Sequence, residues 1–80
     1  MQFKQTKDYY QHGIITGFVA IKDGSRPGNW LLSMTGKDDQ SWTLKTTREK
    51  QKSFVSLDSL IKEVERITGD IESLTINPQN

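Results

Sequence analysis

The sequence of 80 residues contains no cysteine, one histidine and two prolines. The absence of cysteine excludes a disulfide framework and a thiolate zinc site, and the single His12 cannot form an imidazole cluster. No apolar run approaches the roughly 18 residues of a membrane-spanning helix, and the N-terminus lacks the apolar stretch of a signal peptide. We therefore expect a soluble, cytoplasmic protein without a metal, a cofactor, a small-molecule ligand or a membrane partner.

Composition divides the chain into three parts. Residues 1–12 are polar apart from three aromatic side chains and are predicted to be an N-terminal arm. Residues 13–77 are predicted to be a single domain, and residues 78–80 a tail. A chain of this size buries only about 60% of its unfolded surface, which leaves room for one small core.

Charge is distributed unevenly although the net charge is only +1. Residues 1–55 contain nine basic and five acidic residues, a balance of +4, and residues 56–80 contain two basic and five acidic residues, a balance of −3. Such asymmetry can orient a protein on a polyanion, and it is also compatible with an ordinary solvated surface.

Short β-branched or alternating segments bounded by turn residues predict four strands, at about 14–22, 29–36, 40–47 and 52–55. Between the first two strands, Pro27 and Gly28 are typical of a type II turn. In the later strands large apolar residues share one face, and Ser, Thr and Lys share the other. The apolar face consists of Trp30, Leu32, Met34, Trp42, Leu44 and Phe54.

The segment from Ser56 to Thr68 predicts an amphipathic helix with Ser56 as N-cap and Gly69 as left-handed C-cap. Charged residues, Glu63 among them, are expected outside its apolar stripe of Leu57, Leu60, Ile61, Val64 and Ile67. Leu74 and Ile76 fit a last strand. The predicted fold is α+β: an antiparallel β-meander of three to four strands packed on one helix in the C-terminal half, with a final short strand.

The second face of this sheet is the candidate binding surface. Its hydroxyl and lysine side chains suit base edges, and the neighbouring cations suit phosphates. The candidate nucleic-acid-binding residues are Arg26, Ser33, Thr35, Thr43, Lys45, Thr47, Arg48, Lys50 and Lys52. Two alternatives remain open: a Thr-rich face that only reflects strand propensity, and a face or edge strand that binds a protein partner or a second copy. No arrangement of a nucleophile and a base indicates an enzyme.

After three predicted strands, the helix begins within the segment Lys52-Ser-Phe-Val-Ser-Leu-Asp-Ser-Leu-Ile61. This order, from about Phe18 to Gly69, resembles the three-stranded-sheet-plus-helix DNA-binding domains of the AP2-like type, including the arm-binding N-terminal domains of phage and transposon integrases. In that family the sheet lies in the major groove. The resemblance therefore implies a DNA-binding accessory or regulatory protein of a mobile element. This chain departs from the family in its less basic sheet, its N-terminal arm and its final strand.

Overall fold

The computed structural model describes residues 1–69 and the backbone of residues 74–77. Its elements are α1 (Phe3–Gln11), β1 (Ile15–Lys22), β2 (Trp30–Gly36), β3 (Ser41–Thr43), β4 (Ser53–Phe54), α2 (Leu57–Thr68) and β5 (Leu74–Asn77). The protein is α+β, as predicted, with an antiparallel β1-β2-β3 sheet, a helix in the C-terminal half and a final short strand. The predicted tail, residues 78–80, lies outside the described residues.

The sheet has the strand order β3-β2-β1-β5. β1, β2 and β3 form an antiparallel meander, whereas β5 pairs in parallel with β1 and sets Leu74 opposite Phe18. A parallel pair needs a crossover connection, and α2 lies in it. β4 does not extend the meander beyond β3; it pairs with β2, Phe54 opposite Trp30, along the edge of β2 that β3 also occupies.

β3 spans only Ser41–Thr43, whereas the sequence predicted a strand over 40–47. The chain leaves the sheet early because the N–H of Lys45 donates to the C=O of Met1, 2.7 Å away. It rejoins β2 only at β4. We call the intervening residues 45–52 the basic loop.

Both hairpin turns contain residues with a positive φ angle. In the β1–β2 turn, the N–H of Asn29 donates to the C=O of Arg26 at 3.0 Å and Gly28 has a φ of 86°, in agreement with the predicted type II turn. In the β2–β3 turn, Asp38 and Asp39 have φ values of 57° and 60°. Left-handed backbone is unfavourable for residues with a Cβ, so the second turn is strained.

The predicted caps of α2 are confirmed. The hydroxyl of Ser56 accepts from the N–H of Ser59 at 3.2 Å. Gly69 has a φ of 82°, and its N–H donates to the C=O of Glu65 at 2.7 Å. The apolar stripe faces the sheet, and its fully buried members are Leu60, Val64 and Ile67.

The core lies between one face of the sheet and the two helices. From the sheet side it contains Ile15, Phe18, Ala20, Leu32, Met34, Leu44 and Phe54. Trp30, Trp42 and Leu57 are partly buried and pack against it, in agreement with the predicted apolar face. α1 packs against both α2 and β1, so both helices cover the same face and leave the other face of the sheet open.

Residues 1–12 were predicted to be an arm, but nine of them form helix α1. Its ends give little sequence signal, because the N-cap makes no side-chain hydrogen bond and the first turn contains no acid. The tyrosines hold the helix to the sheet: the rings of Tyr9 and Trp42 meet edge to face at 5.8 Å, and those of Tyr10 and Phe18 lie 5.7 Å apart. Tertiary packing therefore stabilises this helix.

A polar network ties β4 to the β1–β2 turn. The hydroxyl of Ser53 donates to Asp23 Oδ2 at 2.8 Å, and the N–H of Ser25 donates to Oδ1 at 2.9 Å. Asn29 Nδ2 completes the network by donating to Ser53 Oγ at 2.9 Å. The hydrogen bond from Ser53, followed by that from Ser25, holds the pKa of Asp23 below its ordinary value of 3.8.

Candidate nucleic-acid interface

The open face of the sheet is the surface on which the sequence predicted a binding site. Strand register and alternation assign to it Gly17, Val19, Ile21, Leu31, Ser33, Thr35, Ser41 and Thr43. None of these side chains is ionisable, and the half formed by Val19, Ile21 and Leu31 is apolar and partly exposed. The open face is therefore a neutral surface, polar at one end and apolar at the other.

Three of the predicted site residues, Ser33, Thr35 and Thr43, do lie together on this face. Ser33 is only 9% exposed, and its hydroxyl donates to the C=O of Trp42 at 3.2 Å. Arg26 is exposed in the β1–β2 turn. The predicted cations Lys45, Arg48, Lys50 and Lys52 lie between β3 and β4 and are not part of the paired strands.

The other five predicted residues lie on the basic loop: Lys45, Thr47, Arg48, Lys50 and Lys52. The loop is closed by the N–H of Thr46, which donates to the C=O of Lys50 at 2.7 Å. It is anchored to the N-terminus, because Lys45 forms a bridge with Gln2 as well as one with Gln51. Arg48 and Lys50 are exposed on its outer turn.

A cleft of 470 Å³ separates the basic loop from the first turn of α1 and from α2. Its lining is Gln2, Phe3, Lys4, Lys45, Thr46, Thr47, Lys52 and Glu63. We call it the lysine cleft. It brings Lys4, which the sequence analysis did not select, next to two lysines that it did.

Glu63 is the acidic member of the lysine cleft and is only 4% exposed. Lys52 Nζ lies 2.8 Å from its Oε2, and Arg66 lies 3.0 Å from its Oε1. The Arg66 guanidinium also stacks 4.7 Å from the ring of Phe3. The prediction that Glu63 lies outside the stripe was wrong, because position 63 borders Leu60 on the helix surface. The two cations offset the free-energy cost of removing its carboxylate from water.

Lys4 and Lys45 differ from Lys52. Among residues 1–69, neither has a carboxylate within ion-pair distance. Lys45 is partly buried, whereas Lys4 is exposed. An ammonium group without a paired carboxylate can form charge-assisted hydrogen bonds with an anionic ligand.

Thr46 adds a neutral donor to the lysine cleft. Its Oγ1 accepts from the N–H of Arg48 at 3.2 Å and from that of Lys50 at 3.4 Å. Among residues 1–69 the hydroxyl proton of Thr46 has no acceptor. It is therefore available to a ligand oxygen.

A second depression adjoins the lysine cleft and shares Gln2 and Lys4 with it. It also contains Gln5, Asp8 and Glu49. Gln2 Nε2 donates to Glu49 Oε1 at 2.8 Å and so marks the boundary between the two. The surface therefore changes from cationic to acidic across Gln2.

Across residues 1–69 and 74–77, no group of three or more His, Asp or Glu side chains is arranged to hold a metal ion. None of the described helices is long and apolar enough to cross a membrane. Comparisons with protein families, with curated proteins and with solved structures find no match for this chain.

Proposed function

We propose that the protein is a non-enzymatic nucleic-acid-binding protein that contacts phosphates through the basic loop and the lysine cleft. The observation that supports this proposal is that Lys4 and Lys45 line the lysine cleft, while Arg48 and Lys50 are exposed on the same basic loop as Lys45. Lys and Arg side chains supply most of the affinity for nucleic acid by neutralising phosphates. Lys52 contributes less, since its ammonium group already neutralises Glu63.

The geometry favours phosphate contacts over reading of bases by the sheet. The open face is neutral, and Ser33 is nearly buried. An uncharged face has little attraction for a polyanion, whereas the basic loop offers the exposed cations Arg48 and Lys50. The DNA-reading role that the integrase resemblance implies for the sheet therefore stays a prediction.

The test is a salt titration of the binding of a fluorescent single-stranded oligonucleotide, followed by anisotropy. Four phosphate contacts at about −0.7 each give an expected slope of log K against log salt of about −3. Replacing Arg48 and Lys50 by Gln should reduce the slope by about 1 to 1.5.

The matched control removes the same charge elsewhere, by Lys37→Gln with Lys62→Gln; both residues are exposed and lie off the basic loop. This double variant should keep the wild-type slope. If the wild type shows no salt-dependent binding, or if both double variants lose affinity equally, the proposed function is wrong.

A second candidate function is self-association through the open face, supported by the apolar half that Val19, Ile21 and Leu31 form. A neutral face can meet its own copy across a two-fold axis without like-charge repulsion. Sedimentation of the wild type and of Ile21→Glu tests this candidate. A concentration-dependent dimer that Ile21→Glu dissociates supports it, and a monomer at all concentrations excludes it.

A further inference from the structure

The positively charged surface of the lysine cleft ends at Gln2, where the adjoining depression begins. A phosphodiester chain that ran through the cleft and past Gln2 would reach the adjoining depression, which shares Lys4 with the cleft and adds the carboxylates of Asp8 and Glu49. Two carboxylates against one ammonium group leave this depression with a negative balance, which repels a phosphate backbone. The surface thus accepts a strand from the side of the basic loop and offers it no favourable exit.

The charge of the lysine cleft matches one doubly charged group. Its lining holds three ammonium groups, of Lys4, Lys45 and Lys52, against the single carboxylate of Glu63, which leaves a balance of +2. A phosphomonoester carries about −1.5 to −2 at neutral pH, because its second ionisation occurs near pH 6, whereas a phosphodiester carries a single charge. The free hydroxyl proton of Thr46 gives such a group a further donor.

We propose that the lysine cleft binds the terminal phosphomonoester of a nucleic-acid strand, with the adjoining nucleotides along the basic loop. This inference rests on the proposed function and specifies its ligand: a phosphorylated strand end, with Lys4 and Lys45 as the residues that recognise it.

The experiment compares three single-stranded oligonucleotides of one sequence, with a 5′-phosphate, with a 3′-phosphate and with hydroxyl groups at both ends. Wild-type protein should bind one phosphorylated form at least about tenfold more tightly than the hydroxyl form, as expected for new charge-assisted hydrogen bonds. Lys45→Gln and, separately, Lys4→Gln should bring this ratio close to one. Lys37→Gln, which removes a charge from the β2–β3 turn outside the lining of the cleft, should keep it.

Two variants guard against loss of folding, since Lys45 is partly buried whereas Lys4 is exposed on α1. Their far-ultraviolet circular dichroism and melting temperatures are compared with the wild type. If folded Lys4→Gln keeps the full preference together with Lys45→Gln, the assignment to the lysine cleft is wrong.

The remaining outcomes separate the inference from the function on which it rests. Salt-dependent binding with equal affinity for all three oligonucleotides overturns the strand-end inference and leaves the proposed function intact. Absence of salt-dependent binding overturns both. If adenosine 5′-monophosphate competes as effectively as the phosphorylated oligonucleotide, the ligand is a free nucleotide and the strand-end inference fails.

Discussion

Glu63 is only 4% exposed, and two cations from different parts of the chain accompany its carboxylate. Lys52 reaches it from the basic loop and Arg66 from the next turn of α2. The carboxylate therefore joins the loop to the helix and also lowers the positive charge of the lysine cleft. The carboxylate therefore stabilises the fold but weakens the binding of an anionic ligand.

Glu63→Gln separates these two effects. Loss of the ion pairs should lower the free energy of unfolding by about 1 to 2 kcal/mol, below the usual range for fully buried pairs because both cations are partly exposed. The same substitution should strengthen oligonucleotide binding, because it removes the negative charge from the lysine cleft. Urea unfolding and anisotropy measure the two quantities.

Glu65→Gln is the control, since Glu65 is exposed on the same helix. Its stability should change by no more than about 0.5 kcal/mol. Weaker oligonucleotide binding by folded Glu63→Gln would contradict the assignment of the lysine cleft as an anion site.

Asp23 gives a residue-scale prediction about pH. Because its pKa in the folded protein lies below 3.8, the ionised form is bound more favourably in the folded state. The resulting stability is present above the unfolded pKa of 3.8 and is lost as the pH falls through the lower, folded pKa. Wild type should therefore exceed Asp23→Asn in stability at neutral pH, and the difference should shrink once the pH drops below 3.8.

Urea unfolding at a series of pH values measures this difference. Ser53→Ala removes the main cause of the lowered pKa, so its stability should depend less steeply on pH in the same range. A difference between wild type and Asp23→Asn that stays constant with pH would contradict the assigned role of the network.

At the scale of elements, the β2–β3 turn contains backbone strain that a substitution should relieve. Two consecutive residues with positive φ are typical of a type I′ turn, which prefers Asp-Gly over the Asp38-Asp39 found here. Asp39→Gly should stabilise the protein by about 0.5 to 1 kcal/mol, because glycine adopts positive φ without a steric cost. Thermal unfolding measures it, with Lys37→Gly as a control that should give no gain.

The elements differ in how far the sequence could predict them. α2 was predictable because Ser56, Gly69 and the apolar stripe all indicate the same helix. α1 was not, because it lacks these signals and depends on tyrosine packing that only the folded sheet provides. The early end of β3 also depends on a contact distant in sequence, since the N–H of Lys45 donates to the C=O of Met1, 44 positions earlier in the numbering.

The residues of the candidate site were likewise predictable only where the signal is local in the sequence. The sequence selected Lys45, Thr47, Arg48, Lys50 and Lys52, but it placed Lys45 and Thr47 on a strand over 40–47 and not on a loop. Lys4 and Glu63 were missed because they join the loop only through the packing of α1 and α2. A clue was available for Glu63: its position borders the apolar stripe of α2, where a carboxylate needs a cationic partner.

At the scale of the whole molecule, stability should be uneven. β1 and β2 are interior strands of the sheet, whereas α1 has a single fully buried residue, Thr6, among its nine. Amide hydrogens of α1 should exchange through local opening at a lower free energy than those of β1 and β2. Equal protection in all three elements, measured by native-state hydrogen exchange, would contradict this view.

The strand order also has a consequence for synthesis. β1 becomes an interior strand only when β5 pairs with it, and β5 is the last of the described strands to leave the ribosome. Until then one edge of β1 presents unpaired N–H and C=O groups beside a finished hairpin, an arrangement that favours intermolecular pairing. A nascent chain halted before Leu74 would keep this edge, so we expect truncated products to aggregate where the longer chain does not.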